Sequence, residues 1–197
     1  RSVRTNLQYL SPEKKSKVVI ITSLHPGEGK TFCSANLAVI IAKANKKVLL
    51  LDMDLHRPKI HKSLKLNSDI GISTYLIGKQ TYNEVKIPSG FENMQVIVSG
   101  PTPPNASELV LSEAIASLLE SAKKEFDYII IDTPPLGLIS DALVLMSHAD
   151  AALFIMNSKF ASRQGIINIE EIVEKGNIKS CGIVLNGIKN RKWKYYY

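Results

Sequence analysis

A glycine-rich pentapeptide, Gly27-Glu28-Gly29-Lys30-Thr31, lies between an apolar run that ends at Ile21 and a segment rich in Ala, Leu and Ile. Glycines allow backbone N–H groups to turn inward around an anion, and the positive end of a following helix adds to this attraction. A lysine and a hydroxyl at the end of such a loop suit the β- and γ-phosphates and Mg²⁺ of a bound ATP. Leu24 stands where the full phosphate-loop pattern has glycine. The alternative is a glycine-rich turn that arose by chance.

Two aspartates, Asp52 and Asp54, follow the apolar run Leu49–Leu51, and Asp132 follows a second apolar run, Ile129–Ile131. Carboxylates at the carboxyl ends of buried strands point into the crevice where α/β proteins bind ligands. They suit Mg²⁺, and one of the first pair could instead accept a proton from a nucleophile. Each motif alone is also typical of a polar turn after a strand.

One amide follows the last apolar run, at Asn186-Gly187. An Asn side chain there could read an adenine edge with one donor and one acceptor. A simple Asn-Gly turn explains the pair equally well. Arg57 and Lys59 are candidates for holding phosphate or phosphotyrosine, although Arg57 could instead pair with a carboxylate of the fold.

Apolar runs alternate with segments of helical periodicity along most of the chain. We expect strands at Val18–Ile21, Val48–Leu51, Val96–Val98, Tyr128–Ile131, Ala151–Met156 and Gly182–Leu185. We expect helices at about Arg1–Leu10, Thr31–Lys43, Ser107–Lys124 and Gln164–Lys175. Continuous apolar runs are typical of strands that are covered on both faces. The pattern predicts an α/β fold, a mostly parallel sheet with helices on both faces.

The chain has 197 residues with a net charge of +7 and two cysteines that lie far apart. The cysteines indicate neither a disulfide framework nor a zinc site. No apolar run approaches the roughly 18 residues that span a bilayer. The basic excess favours either plain solubility or a patch that lies against a membrane. Because the chain begins at Arg1 without a Met, we expect it to be a piece of a longer protein.

The order of these motifs resembles the deviant Walker ATPases related to MinD and ParA, and within them the bacterial tyrosine kinases. The resemblance covers nearly the whole chain. It is carried by residues 1–7, Pro26–Thr31, Leu51–Asp54 with Arg57, Pro58 and His61, Gly71–Ser73 with Tyr75, Leu76 and Gly78, Gly100 with Pro103–Asn105 and Ser107–Leu109, Asp127–Pro135, Ser140–Ala142, Asn186–Gly187 and Tyr195–Tyr197. His25 replaces the signature lysine of the MinD and ParA group, which counts against a partition ATPase.

The resemblance implies the P-loop NTPase fold, ATP and Mg²⁺ as cofactors and a role for each site residue. The catalytic residues would be Lys30, Asp52 and Asp54, with Asp52 beside the tyrosine hydroxyl. The metal would be held by Thr31, Asp54 and Asp132. The nucleotide would be bound by Gly27, Glu28, Gly29, Lys30, Thr31, Phe32 and Asn186.

The resemblance further implies that Tyr195, Tyr196 and Tyr197 are phosphorylated in trans by a neighbouring copy. Arg1 and Arg4 match the end of an element that joins subunits into a ring, although its Glu is absent from this chain. A membrane activator domain, either fused upstream or separate, and a tyrosine phosphatase are the expected partners, with no nucleic acid. Capsular or extracellular polysaccharide production at the cytoplasmic face of the bacterial inner membrane is the expected setting.

We expect three parts: an N-terminal helix and linker for oligomerisation (1–16), a P-loop kinase domain (17–188), and a flexible basic tail rich in Tyr (189–197). Two other functions fit the same motifs. One is a nucleotide-switched ATPase that binds a partner or DNA without phosphorylating protein. The other is an assembly module that uses ATP only to stabilise a ring.

Overall fold

Seven strands form a single sheet in the computed structural model, which describes residues 2–7, 15–67, 69–136, 141–176, 178 and 180–188. The strands are β1 (Lys17–Ser23), β2 (Val48–Asp52), β3 (Ile87–Pro88), β4 (Met94–Ile97), β5 (Tyr128–Asp132), β6 (Ala151–Asn157) and β7 (Cys181–Asn186). Their order across the sheet is β3-β4-β2-β5-β1-β6-β7. All neighbouring pairs are parallel except β3 with β4. The six predicted strands are therefore present, and β3 is an addition.

Helices connect these strands and cover both faces of the sheet. They are α1 (Ser2–Leu7), α2 (Lys30–Ala42), α3 (Ile60–Leu64), α4 (Ile72–Leu76), α5 (Tyr82–Val85), α6 (Ala106–Val110), α7 (Glu113–Glu125), α8 (Asp141–Met146) and α9 (Arg163–Lys175). The predicted P-loop α/β architecture is thus confirmed.

Alternate residues of each central strand point to opposite cores. Val18 and Ile20 of β1 pack into the core beneath α7 and α9, whereas Val19 and Ile21 pack into the core beneath α2. All four side chains are buried. Because both faces of the strand are covered, the sequence has a continuous apolar run and not an alternating one.

One predicted helix, Ser107–Lys124, is two helices in the structure. The backbone of Ser112 is extended, with φ −74° and ψ 148°, between α6 and α7. Leu111 is 62% exposed, so it does not belong to the apolar stripe formed by Ile115, Leu118 and Leu119. The spacing of leucines alone did not reveal this break.

The N-terminal helix α1 places Leu7 in the core beneath α2. Within the described residues, no helix is long and apolar enough to cross a membrane. The division into a helix with linker, a kinase domain and a tail stays a prediction.

Candidate active site

The loop between β1 and α2 has the backbone shape that its glycines predict. Gly27 and Gly29 adopt φ angles of +82° and +93°, which side-chain-bearing residues rarely adopt. Helix α2 begins at Lys30, immediately after Gly29. The loop therefore presents backbone N–H groups and a helix N-terminus to the same space, as an anion site requires.

Lys30 and Thr31 each contact an aspartate at the carboxyl end of another strand of the sheet. Lys30 Nζ donates to Asp54 Oδ2 at 3.1 Å. Thr31 Oγ1 donates to Asp132 Oδ2 at 2.7 Å. The parallel register of β2 and β5 pairs Asp52 with Asp132, which brings the two acidic strand ends side by side. The structure therefore brings the phosphate loop and the two acidic motifs together at one edge of the sheet.

Asp132 is almost completely buried, and Ser34 is its second hydroxyl partner. Ser34 Oγ lies 2.9 Å from Asp132 Oδ1. Burial raises the pKa of Asp132 to about 6, while Lys30 and the two hydroxyl groups oppose that rise. Sequence reasoning missed Ser34, although its position one helical turn after Lys30 places both residues on the same face of α2.

Asp52 has no exposed surface. Its Oδ2 accepts the backbone N–H of Ile60 at 3.2 Å, and its Oδ1 accepts that of Asp54 at 3.3 Å. Burial raises the pKa of Asp52 to about 8, and the negative charge of Asp132 adds to the rise. The carboxyl group therefore holds its proton near neutral pH, and it fixes the start of the segment that follows β2.

The oxygen donors of Thr31, Asp54 and Asp132 fit Mg²⁺, which prefers such ligands and retains several waters. In the described part of the chain, no group of three or more His, Cys, Asp or Glu side chains could hold a metal ion by itself. A cation here would therefore need phosphate oxygens and water to complete its ligands. That requirement is typical of sites that bind a metal together with a nucleotide.

Glu28 supports the loop from the interior of the protein, where it is only 1% exposed. Its Oε2 accepts the backbone N–H of His25 at 2.8 Å, and its Oε1 accepts that of Asn157 at 3.2 Å. Asn157 ends β6, so this side chain ties the loop to the sheet. The sequence prediction named Glu28 as nucleotide-binding but did not show that its side chain points into the protein.

Asn186 lies beneath the same loop. Its Nδ2 donates to the backbone oxygen of Glu28 at 3.0 Å. A Cβ atom added to Gly29 would lie 2.2 Å from Asn186 Nδ2, so the two residues are in close contact. This geometry gives the Asn186 amide a role in supporting the loop, and reading of an adenine edge stays a prediction.

A cleft of about 560 Å³ opens beside the loop. It is lined by Gly27, Gly29, Lys30, Thr31, Phe32, Ala35, Asn36, Val39, Lys59, Ser63, Leu64 and Phe91. Phe32 is 66% exposed and offers an aromatic face at this cleft. The cleft has room for a ligand next to the phosphate loop.

The remaining predicted residues lie away from the loop or outside the described residues. Arg4 is on α1, where its Nε atom is buried and has no hydrogen-bond partner among the described residues. Arg1, Tyr195, Tyr196 and Tyr197 lie outside the described residues.

Comparisons with known proteins agree with this geometry. A family model described as an AAA domain (AAA_31) matches residues 16–180. Tyrosine-protein kinase YwqD of Bacillus subtilis is 35% identical over 196 residues, which cover 100% of this chain and 83% of the relative. The putative tyrosine-protein kinase CapB of Staphylococcus aureus is 32% identical over 200 residues, covering 100% of this chain and 88% of that protein.

Etk, a tyrosine-protein kinase of Escherichia coli, is 34% identical over 97% of this chain, but the match spans only 26% of Etk. The solved kinase domain of that enzyme superposes with a TM-score of 0.91 at 33% identity, covering 100% of this chain and 77% of the other. The cell division ATPase MinD of Pyrococcus furiosus superposes with a TM-score of 0.74 at 26% identity, covering 86% of this chain and 71% of MinD.

Proposed function

We propose that this chain transfers phosphate from ATP to the tyrosine cluster of a neighbouring copy. The chain belongs to the bacterial tyrosine kinase family and is a tyrosine-protein kinase. The observation that carries this proposal is the convergence of Lys30, Thr31, Asp54 and Asp132 beneath the phosphate loop. A P-loop ATPase-type domain implies nucleotide binding, and the more specific choice of ATP with Mg²⁺ is part of the proposal.

In the proposed complex, the phosphates of ATP lie against the N–H groups of residues 27–31. Mg²⁺, when bound by Thr31, Asp54 and Asp132, would neutralise charge on the phosphate oxygens. Lys30 would then exchange its ion pair with Asp54 for the β- and γ-phosphates. Its ammonium group would stabilise the charge that develops on the oxygens during transfer.

The reaction is an in-line displacement at phosphorus. The phenol oxygen of the incoming tyrosine forms a bond to the γ-phosphorus, and the bond between that phosphorus and the bridging oxygen of ADP breaks. The phenol proton passes to a carboxylate, for which we propose Asp52. Only the ionised form of Asp52 can accept this proton, and the positive charge of a bound Mg²⁺ would favour that form. A phenol has a pKa of about 10, so the carboxylate orients the hydroxyl group first and accepts its proton late.

Asp52 is enclosed in the structure, which places a condition on this role. The N–H groups of Ile60 and Asp54 occupy its two oxygens. One of these two hydrogen bonds must therefore open before a tyrosine hydroxyl reaches the carboxylate. Accordingly, we expect Asp52→Asn to reduce transfer much more than nucleotide affinity. Equal losses in both would identify Asp52 as a metal-binding group instead.

The proposed acceptors are Tyr195, Tyr196 and Tyr197, presented in trans within a ring of subunits joined through Arg1 and Arg4. Four basic residues, at positions 189, 191, 192 and 194, precede these tyrosines, and residues 189–197 contain no Asp or Glu.

The proposed setting is the regulation of capsular or extracellular polysaccharide synthesis and export at the cytoplasmic face of the inner membrane. The partners would be a membrane activator domain, fused upstream or separate, and a tyrosine phosphatase, with no nucleic acid. The match spans 26% of Etk but 83% of YwqD and 88% of CapB, so the lengths of the relatives fit both a fused and a separate activator.

The competing function is a nucleotide-dependent switch, which the likeness to MinD favours. Such a switch needs the phosphate loop but no tyrosine tail. Mass spectrometry of the purified chain after incubation with ATP and Mg²⁺ separates the two functions. We expect phosphate on Tyr195–Tyr197 in the wild type and none in Lys30→Met. Lys46→Met, which changes an exposed lysine before β2, is the matched control and should keep the phosphate.

An unmodified tail on wild-type protein that binds ATP would rule out the proposed phosphorylation of the tail and favour the switch.

A further inference from the structure

A second cavity, the cationic groove, lies beside the candidate active site. It has a volume of about 660 Å³ and is lined by Arg57, Pro58, Lys59, His61, Lys62, Ser63, Gly100, Pro101 and Thr102. Three of these side chains carry positive charge and a fourth is a histidine. No Asp or Glu is among these lining residues, all of which belong to the described part of the chain.

Among the described residues, no carboxylate forms an ion pair with a cation of the groove, whether Arg57, Lys59 or Lys62. His61 Nδ1 is buried and has no hydrogen-bond partner in the described part of the chain. Groups of this kind attract an anion that offers several acceptor oxygens.

Both walls of the groove are fixed relative to the site. In the first wall, the backbone N–H of Arg57 donates to Asp54 Oδ1 at 3.0 Å, and that of Ile60 donates to Asp52 Oδ2 at 3.2 Å. The acidic residues of the active site therefore hold the segment that carries the cations.

The second wall is the turn at residues 100–102. It follows a segment that is hydrogen-bonded to α4, since the N–H of Ser73 donates to the oxygen of Ser99 at 2.9 Å. Gly71 packs so closely that an added Cβ would lie 2.2 Å from the oxygen of Val98. The groove is thus a preformed feature and does not need a ligand to assemble it.

The groove and the nucleotide cleft share two lining residues, Lys59 and Ser63. The two cavities therefore adjoin, and an extended segment, which advances by about 3.3–3.6 Å per residue, can run from one into the other. A ligand in the groove can therefore belong to the same peptide as an acceptor at the phosphate loop.

The composition of the tail indicates which ligand this is. Residues 188–197 contain Lys189, Arg191, Lys192 and Lys194 and no Asp or Glu. An unmodified tail is repelled by the cationic groove. Phosphorylation of one tyrosine adds a charge of about −1.5 to −2 and three acceptor oxygens, which reverses this repulsion locally.

We propose that the cationic groove binds the phosphate of a phosphotyrosine already formed in the acceptor segment and so favours phosphorylation of the next tyrosine. This inference rests on the proposed function. The first transfer would be slow, because a basic tail approaches a basic groove. Later transfers to the same tail would be faster, because the first phosphate anchors it.

The test uses the full chain after phosphatase treatment and three fluorescent peptides of residues 188–197. One peptide is unmodified, one carries phosphotyrosine at position 197, and one carries Phe there. Binding is measured by fluorescence anisotropy with saturating ADP and Mg²⁺, which fill the phosphate loop. We expect the phosphopeptide to bind about tenfold more tightly than the other two, since one charge-assisted contact contributes about this factor.

The matched variants are Lys62→Gln, in the groove, and Lys65→Gln, an exposed lysine at the end of the same helix and outside the groove. We expect Lys62→Gln to reduce the ratio of affinities for the phosphopeptide and the other two peptides by about fivefold. Lys65→Gln should leave that preference unchanged. Equal affinity for all three peptides, or an equal effect of both variants, would overturn the inference.

Loss of phosphopeptide binding when ADP is added would show that the phosphopeptide binds at the phosphate loop. That result would also overturn the inference about the cationic groove. Phosphoryl transfer is measured separately with ATP and Mg²⁺. If no peptide is phosphorylated, the proposed function fails while the binding result stands. If all peptides are phosphorylated at one rate and bind equally, only the groove inference fails.

Discussion

The buried carboxyl group of Asp52 predicts a pH dependence of stability that one substitution removes. Its pKa is raised from 3.8 to about 8 by burial and by the charge of Asp132. Between these values the folded chain keeps a proton that the unfolded chain has released. The free energy of unfolding therefore falls as pH rises through this window. Above about pH 8, the stabilisation that comes from the protonated carboxyl group of Asp52 is lost.

The magnitude follows from the linkage relation. One proton of difference changes the free energy of unfolding by about 1.4 kcal/mol per pH unit. From about pH 6.5 to about pH 8, Asp52 thus lowers stability by at most roughly 2 kcal/mol. This range begins at about pH 6.5 because the pKa of Asp132 is raised to about 6. Above that value Asp52 dominates the change of stability with pH.

Asp52→Asn cannot ionise and should remove this slope. At low pH the variant should be less stable by about 1–3 kcal/mol, because the amide offers only one acceptor to the two backbone N–H groups. Glu92→Gln, a substitution of an exposed carboxyl group, is the matched control and should follow the wild type.

The assay is urea unfolding followed by circular dichroism, at several pH values, without nucleotide and with a chelator present. The quantity compared is the difference in free energy of unfolding between variant and wild type. We expect this difference to move in favour of the variant as pH rises. Parallel profiles for the two proteins would refute the assignment of a raised pKa to Asp52.

Three further substitutions, one of them with a matched control, test the site. Gly29→Ala should abolish nucleotide binding, measured by calorimetry, because its Cβ would lie 2.2 Å from Asn186 Nδ2 and its φ is +93°. Gly90→Ala is the matched control, because Gly90 has a similar φ of +82° but a Cβ there would meet no atom within 4 Å. It should cost about 1 kcal/mol of stability and leave nucleotide binding intact. Glu28→Gln should lower the free energy of unfolding by about 1–3 kcal/mol, because one of two backbone N–H groups loses its acceptor. Asp54→Asn should weaken Mg²⁺-dependent nucleotide binding by about tenfold, and unchanged affinity would exclude Asp54 from the metal site.

The sheet could be predicted from the sequence because its strands are covered on both faces. Continuous apolar runs such as Ile129–Ile131 have no other stable location, and each polar residue that ends such a run marks the edge where ligands bind. Asp52, Asp54 and Asp132 could be located at this edge for this reason, and their roles stay predictions. The short strand β3, at Ile87–Pro88, escaped prediction because two residues carry no periodic signal.

The environment of the site residues could not be predicted, because it depends on contacts between distant segments. Glu28 and Asn157 are 129 positions apart, and Asn186 lies 158 positions from the carbonyl it contacts. Sequence spacing gives no indication of such pairs. Asp52 also contacts a nearer residue, since the N–H of Ile60, eight positions later, donates to its carboxyl group.

The central claim is that the phosphate loop of one copy phosphorylates the tail of another. The direct measurement mixes two variants with ATP and Mg²⁺. One is Lys30→Met with an intact tail, and the other carries Phe at Tyr195, Tyr196 and Tyr197 with an intact loop. Mass spectrometry should find phosphate on the tail of the Lys30→Met copy, and only in the mixture. An unmodified tail in the mixture, under conditions in which the wild type modifies its own, would contradict transfer between copies.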